Sequence, residues 1–189
     1  FKSKKTPNNK KNYLFVPSRI SSWKGHDLLL DYFEQFPKKY KEKYKLLFIS
    51  SHILNDEVNI DRIIKKNDLS NNIEFIKPTL DIKKIYELSS LVINISIRPE
   101  GFGRTVSEAL SMSCPVIAPN MGGTKEQLEN FNPKLLFDIS SFKSFFKAFE
   151  YALNNHKGVS KNARNFVKEN YSADLMCKNT LKIYQNLIN

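Results

Sequence analysis

The chain has 189 residues, a formal net charge of +11, and 41% hydrophobic and 12% aromatic residues. That length suits one domain with a real core, and the apolar content excludes a disordered tail. The 30 basic residues are overwhelmingly lysine, with no cluster of arginine and aromatics, so the charge reads as a solvated surface and makes no case for nucleic-acid binding.

The same charge favours anionic partners, among them peripheral contact with an anionic membrane. No apolar run approaches the ~20 residues of a membrane span. Residues 1–12, FKSKKTPNNKKN, lack the apolar core of a signal peptide and read as a linker ahead of one domain over 13–189. A cytoplasmic protein is expected, working at the inner face of the membrane where it meets one. Cys114, between a helix and a buried strand, reads as a reduced, packed thiol. His26, His52 and His156 are scattered without metal-ligand spacing, so no metal site is expected. His26 reads as a helix-cap residue rather than a catalyst.

In chain order, residues 13–17 form a short apolar strand. Loop 18–25 follows, then a helix over 26–36 with Leu29, Leu30, Phe33 and Phe36 on one face. Strand 44–50, helix 56–66 and strand 73–76 come next. Asp81 caps a helix to residue 88, whose stripe is Ile82, Ile85 and Leu88. Strand 91–97 is β-branched and uncharged, as a buried parallel strand should be. Gly101-Phe102-Gly103 opens a helix carrying Val106, Ala109 and Leu110, which ends near Ser113 ahead of Pro115. Strands 116–118 and 134–137 and helices 124–129, 141–153, 160–169 and 173–187 complete the chain. The last helix either packs on this domain or crosses to another. Strand–helix alternation of this kind predicts an α/β fold, a doubly wound, mostly parallel, Rossmann-like sheet.

Four of the chain's six glycines fall between residues 91 and 123. Strand, glycine turn, helix, strand is a parallel crossover, and ligands of such sheets gather at the carboxyl ends of strands beside helix N-termini. Glycine at 101 and 103 lets a bound group approach the backbone. The first strand is central in this topology, so Arg19 and Lys24 in loop 18–25 should lie beside loop 100–104. A diphosphate needs forked or mobile cations together with N–H donors. Arg19 and Lys24 are equally readable as exposed loop residues. Taken singly, Glu100 serves the helix dipole and Glu108 pairs with Arg104 four residues before it. Taken together across a strand exit, they offer acceptors for sugar or ribose hydroxyls.

Ser18-Arg19 with Lys24-Gly25, the block RPEGFGRTVSEAL from Arg98 to Leu110, Pro115-Val116-Ile117-Ala118, and Met121-Gly122-Gly123 with Glu126 resemble a known family. It is the C-terminal, donor-binding half of retaining GT-B glycosyltransferases of group 1, over about residues 13–153. The resemblance implies that Arg19 and Lys24 hold the donor's diphosphate in place of a metal ion, and that Glu100 bonds the transferred sugar. It further implies that Phe102, Gly103, Arg104 and Thr105 line the sugar–phosphate region largely through backbone N–H groups, that Ser18 and Gly101 belong to the donor-binding set, that Glu108 grips the ribose, and that the base lies near Lys77. The implied ligand is a nucleotide sugar, UDP- or GDP-linked, with no separate cofactor, used in cell-surface polysaccharide synthesis. The acceptor-binding N-terminal domain is absent from these residues, so binding without much transfer is expected. Ser18 and Ser113 stand where the family usually has glycine; Ser113 costs little if its φ is negative. A non-catalytic nucleotide-binding module would use the same loops but need nothing at Glu100. Sugar-nucleotide epimerases and phosphorylases are relatives by fold, and no cofactor lysine for a phosphorylase is identifiable.

Overall fold

A computed structural model of the protein describes residues 12–49, 69–79 and 81–188. The helix expected over 56–66 and nearly all of the leader lie outside the described residues. β1 (Tyr13–Val16) buries its last three residues, as expected of a strand covered on both faces. It pairs in parallel with β2 (Lys45–Ile49) on one side and with β4 (Leu91–Ile93) on the other. β3 (Ile73–Ile76) lies beyond β2, while β5 (Val116–Pro119) and β6 (Leu136–Phe137) lie beyond β4. The order is β3-β2-β1-β4-β5-β6, with every described pair parallel. The strand order reverses between β1 and β4, where the ligand crevice of a doubly wound sheet forms.

α1 (His26–Glu34) and α2 (Lys38–Lys43) connect β1 to β2. α3 (Ile82–Leu88) leads into β4, α4 (Arg104–Ser111) into β5 and α5 (Gly122–Phe131) toward β6. α6 (Phe142–Asn154) returns to α1 and α2 through an aromatic cluster: Phe36 and Phe149 have ring centroids 4.7 Å apart. The Tyr32 hydroxyl donates to the Ile139 carbonyl and the Tyr40 hydroxyl to Glu150 Oε1, both at 2.7 Å, so the cluster is pinned at its polar edges. α7 (His156–Asn170) packs on α4.

Several expectations need correction. β4 ends at Ile93 rather than 97, because the Asn94 side chain accepts from the Ser96 N–H and the Trp23 carbonyl accepts from the Ile97 N–H, taking the chain out of the ladder. Asp81 stands at the N-cap of α3 without a side-chain cap bond; its own N–H takes Thr79 Oγ1 instead. The buried residue of α3 is Tyr86, while Ile82, Ile85 and Leu88 are half-buried. α2 has no counterpart among the expected elements. In α8 (Ala173–Ile188), Met176, Leu181, Ile183, Tyr184 and Leu187 are all more than half exposed, so this helix does not bury its apolar side on the domain. Among the described residues no helix is long and apolar enough to cross a membrane.

Candidate functional site

The loop after β1 closes with a 3₁₀ turn, Ser22–Lys24, and Gly25 at φ +69°. A Cβ at Gly25 would lie 2.2 Å from the Ile95 carbonyl oxygen, so only glycine lets this loop press against the exit of β4. The approach sets Lys24 against the residues following β4. Its Nζ lies 2.5 Å from Glu100 Oε1, 3.5 Å from Ser96 Oγ and 3.9 Å from the centroid of the Trp23 ring. Ser96 Oγ donates to the same Glu100 oxygen at 2.5 Å. Asn94, whose Oδ1 holds the Ser96 N–H, donates through Nδ2 to Thr105 Oγ1 at 2.8 Å. A chain of polar contacts thus runs from α4 through the β4 exit to the first loop. Burial by itself would raise the Glu100 carboxyl, but hydrogen bonds from Lys24 and Ser96, the Lys24 charge and a bond from Asn94 hold it below the ordinary glutamate range. Glu100 is ionised and paired.

α5 fixes the glycine turn from the far side. The Gly123 N–H donates to the Glu100 carbonyl at 2.8 Å, and Gln127 Nε2 donates to the Phe102 carbonyl and, at 3.3 Å, to that of Gly103. In a planar trans peptide the next N–H points opposite to the carbonyl. With the Glu100 and Phe102 carbonyls held by α5, the N–H groups of Gly101 and Gly103 turn away from it, and both residues line the cleft. α4 begins there, after Gly103 at φ +78°, with the positive dipole end of a helix start. No neighbour lies within 4 Å of a Cβ built on Gly101, so its bare face is open.

The cleft, of about 610 Å³, is lined by Ser18, Arg19, Trp23, Lys24, Glu100, Gly101, Phe102, Gly103, Arg104, Thr105 and Glu108, with Pro17 and Pro99. Every site residue expected from the sequence is therefore brought together except Lys77. It follows β3, the edge strand, with β2 between it and β1, and it is exposed outside the cleft. The Arg104–Glu108 pair is replaced: Glu108 Oε2 accepts from the Tyr86 hydroxyl at 2.8 Å. Ser18 takes an ordinary φ, and its Oγ lies 3.4 Å from Nε2 of His26. His26 is the first residue of α1 rather than its cap, is fully buried edge-on to Phe48, and has its pKa pushed down to about 4 by burial. Among the described residues no group of three His, Cys, Asp or Glu side chains comes together.

Trp23, Asn94, Ser96 and Tyr86 are site residues that the sequence reading did not single out. Asn94 and Ser96 carried a signal, being polar residues at alternate positions in an otherwise apolar run, LVINISI.

A parallel sheet with its order reversed beside a cleft of cations and carboxylates is a Rossmann-like α/β domain, and it matches GT-B glycosyltransferase structures. The chain belongs to the group 1 glycosyltransferase family: the model for "Glycosyl transferases group 1" matches residues 1–172. It is 27% identical over 187 residues to an uncharacterized glycosyltransferase of Methanocaldococcus jannaschii, covering 96% of this chain and 46% of that protein. A glycosyltransferase from Rickettsia africae superposes with a TM-score of 0.81 at 29% identity, over 97% of this chain and 49% of that one. Anabaena HepE, solved in complex with UDP and glucose, has the same fold, with a TM-score of 0.79 at 21% identity over 94% of this chain and 49% of its own. The chain spans between 38% and 49% of the length of the curated relatives it matches.

Proposed function

We propose that the chain binds a nucleoside-diphosphate sugar and is the donor-binding half of a retaining, metal-independent glycosyltransferase whose acceptor half lies in the remainder of a longer protein. One observation carries the reading: Arg19, Lys24 and the glycine turn Gly101–Gly103 share a single cleft with Glu100 and Glu108. The UDP and glucose bound by HepE, on the same fold, support it.

Cleaving a sugar–diphosphate bond builds negative charge on the departing phosphate and positive charge at the anomeric carbon. Fixed cations and N–H dipoles stabilise that state more than the ground state. The Lys24 ammonium has three donors, so it can hold Glu100 and still donate to a phosphate oxygen. Glu100, kept ionised, accepts from a sugar hydroxyl and stabilises positive charge nearby. Arg19, exposed at the cleft, supplies a forked donor to the second phosphate. The protein works on the cytoplasmic side of a membrane, where its cationic surface favours anionic lipid.

Calorimetric titration with UDP, GDP and their glucose and mannose conjugates tests this. Lys24→Ala and Glu108→Ala should each weaken binding of the preferred nucleotide by about tenfold or more. Unchanged affinity in both variants refutes the site. Glu100→Gln should weaken the sugar conjugate more than the free nucleotide; an equal effect on both leaves a nucleotide-binding module without catalysis.

A further inference from the structure

Tyr86 is fully buried, yet its hydroxyl bonds a carboxylate, Glu108, that lines the cleft. Its ring stands edge-on to Phe15 of β1 with centroids 5.2 Å apart, and the hydroxyl donates to Glu108 Oε2 at 2.8 Å. We propose that Tyr86 is a positioning residue that fixes the Glu108 carboxylate for the vicinal hydroxyls of ribose, and so makes the site select ribonucleotides over 2′-deoxyribonucleotides. The inference rests on the reading of Glu108 given above.

A carboxylate offers about four acceptor sites on two oxygens. Tyr86 occupies one, on Oε2, which leaves Oε1 and the second lone pair of Oε2 for two hydroxyls. A glutamate on a helix surface is rotamer-rich, and ordering it on binding costs affinity unless it is ordered beforehand. The Tyr86 ring is held in the core, so its hydroxyl is a rigid anchor for that ordering. Without it, Glu108 is free to swing toward Arg104, its neighbour one turn back on the helix. Burial, then the Glu108 charge, push the Tyr86 hydroxyl far above the ordinary tyrosine range, so it remains a donor at any working pH. A site built to bond a hydroxyl rejects the analogue lacking it, because its own polar groups are then left unpaired.

The test is calorimetry on this chain with UDP, GDP and their 2′-deoxy forms, for the wild type, Tyr86→Phe, Glu108→Gln and the double variant, with thermal unfolding of each. Tyr86→Phe keeps the ring and removes one donor. The wild type should prefer the ribose form by about tenfold or more. Tyr86→Phe should lose about three- to tenfold for the ribose form and little for the 2′-deoxy form, and should have no further effect in the Glu108→Gln background. Equal losses for both forms, or the same loss in the Glu108→Gln background, make Tyr86 a packing residue and overturn the proposal. A wild type that ignores the 2′-hydroxyl but still depends on Lys24 also overturns it, while leaving the diphosphate site standing. If the wild type binds no nucleotide, the donor reading and this inference fall together. If Tyr86→Phe does not fold, Tyr86 is a packing residue and the proposal is overturned; retained discrimination in Glu108→Gln overturns it as well.

Discussion

The Lys24 ammonium and the Glu100 carboxylate meet at 2.5 Å although 76 residues separate them, with only 15% and 12% of their side chains exposed. Neither residue reaches the other unless β1 and β4 are adjacent and Gly25 closes on the β4 exit, so this ion pair reports that both loops are in place. Removing one partner strands a largely desolvated charge. Lys24→Met or Glu100→Leu alone should destabilise the domain by about 2 kcal/mol, below the 3–5 kcal/mol of a fully buried pair because some solvent remains. The double substitution should recover at least half of that loss. Urea denaturation of the four proteins measures it; single losses that simply add would mean that the two groups do not interact.

Gly25 and Gly101 should separate folding from binding. Gly25→Ala forces a Cβ onto the Ile95 carbonyl at positive φ, and should cost about 2–4 kcal/mol. Gly101→Ala meets open space and should leave the unfolding midpoint within about 0.5 kcal/mol of wild type, while weakening the nucleotide sugar about tenfold through the new methyl in the cleft. A stable Gly25→Ala protein would show that the loop does not press on β4 as described.

How much of this was legible in the sequence depended on how local each cause was. β1, β4 and β5 announced themselves as apolar runs, the glycine turn at the exit of β4 marked the cleft, and the Glu100 to Glu108 block carried the family resemblance. α2 did not: KKYKEK has no stripe of its own, and its one half-buried ring, Tyr40, is held by Phe146, Phe149 and Glu150, over a hundred residues away. Ile95 and Ile97 continue the strand pattern past the end of β4, whereas two side-chain and loop acceptors decide where the ladder stops. Tyr86 was invisible for the same reason, since the partner of its hydroxyl sits on another helix. Spacing along one element is written in the chain; the partner across two elements is not.

His26 gives the protein an acid limit. In the folded state its imidazole is held neutral, with a pKa of about 4 against 6.5 for the free side chain. Between those values the unfolded chain binds a proton that the folded one refuses, so unfolding is favoured as pH falls. The stability is fully present above pH 6.5 and declines through the window to pH 4 by about 3 kcal/mol, at ~1.36 kcal/mol per unit. Glu100, with its lowered pKa, adds a further loss only below the range where free glutamate begins to protonate. In urea melts from pH 8 to 4, His26→Phe should flatten the slope between 6.5 and 4.5. An unchanged slope would assign the acid sensitivity to the carboxylates instead.

Ser113 closes α4 in the left-handed conformation, at φ +55°, the one non-glycine residue with positive φ among those described. A negative φ, the condition under which serine costs little here, is not met, and the way the helix ends is the reason. The Ser113 N–H bonds the Leu110 carbonyl at 3.0 Å and the Cys114 N–H reaches back to Ala109 at 2.9 Å. That pair of bonds is a Schellman close, which requires a left-handed residue where Ser113 stands. Cys114 is then carried into the core, 1% exposed, with its thiol donating to the Ser89 carbonyl, and Pro115 prevents the helix from resuming. A Cβ in that conformation costs about 1–2 kcal/mol. Glycine relieves the strain but gives the unfolded chain about 0.4–1 kcal/mol more entropy to lose. Ser113→Gly should therefore stabilise the domain by about 0.5–1 kcal/mol, Ser113→Asn should be near neutral, and Ser113→Val should destabilise it by about 1–2 kcal/mol, since a branched Cβ fits the left-handed region worst. Nucleotide affinity should be unchanged in all three, because residue 113 lies at the far end of α4 from the cleft. A Ser113→Gly variant that melts earlier than wild type would show that the serine side chain contributes more than its backbone costs.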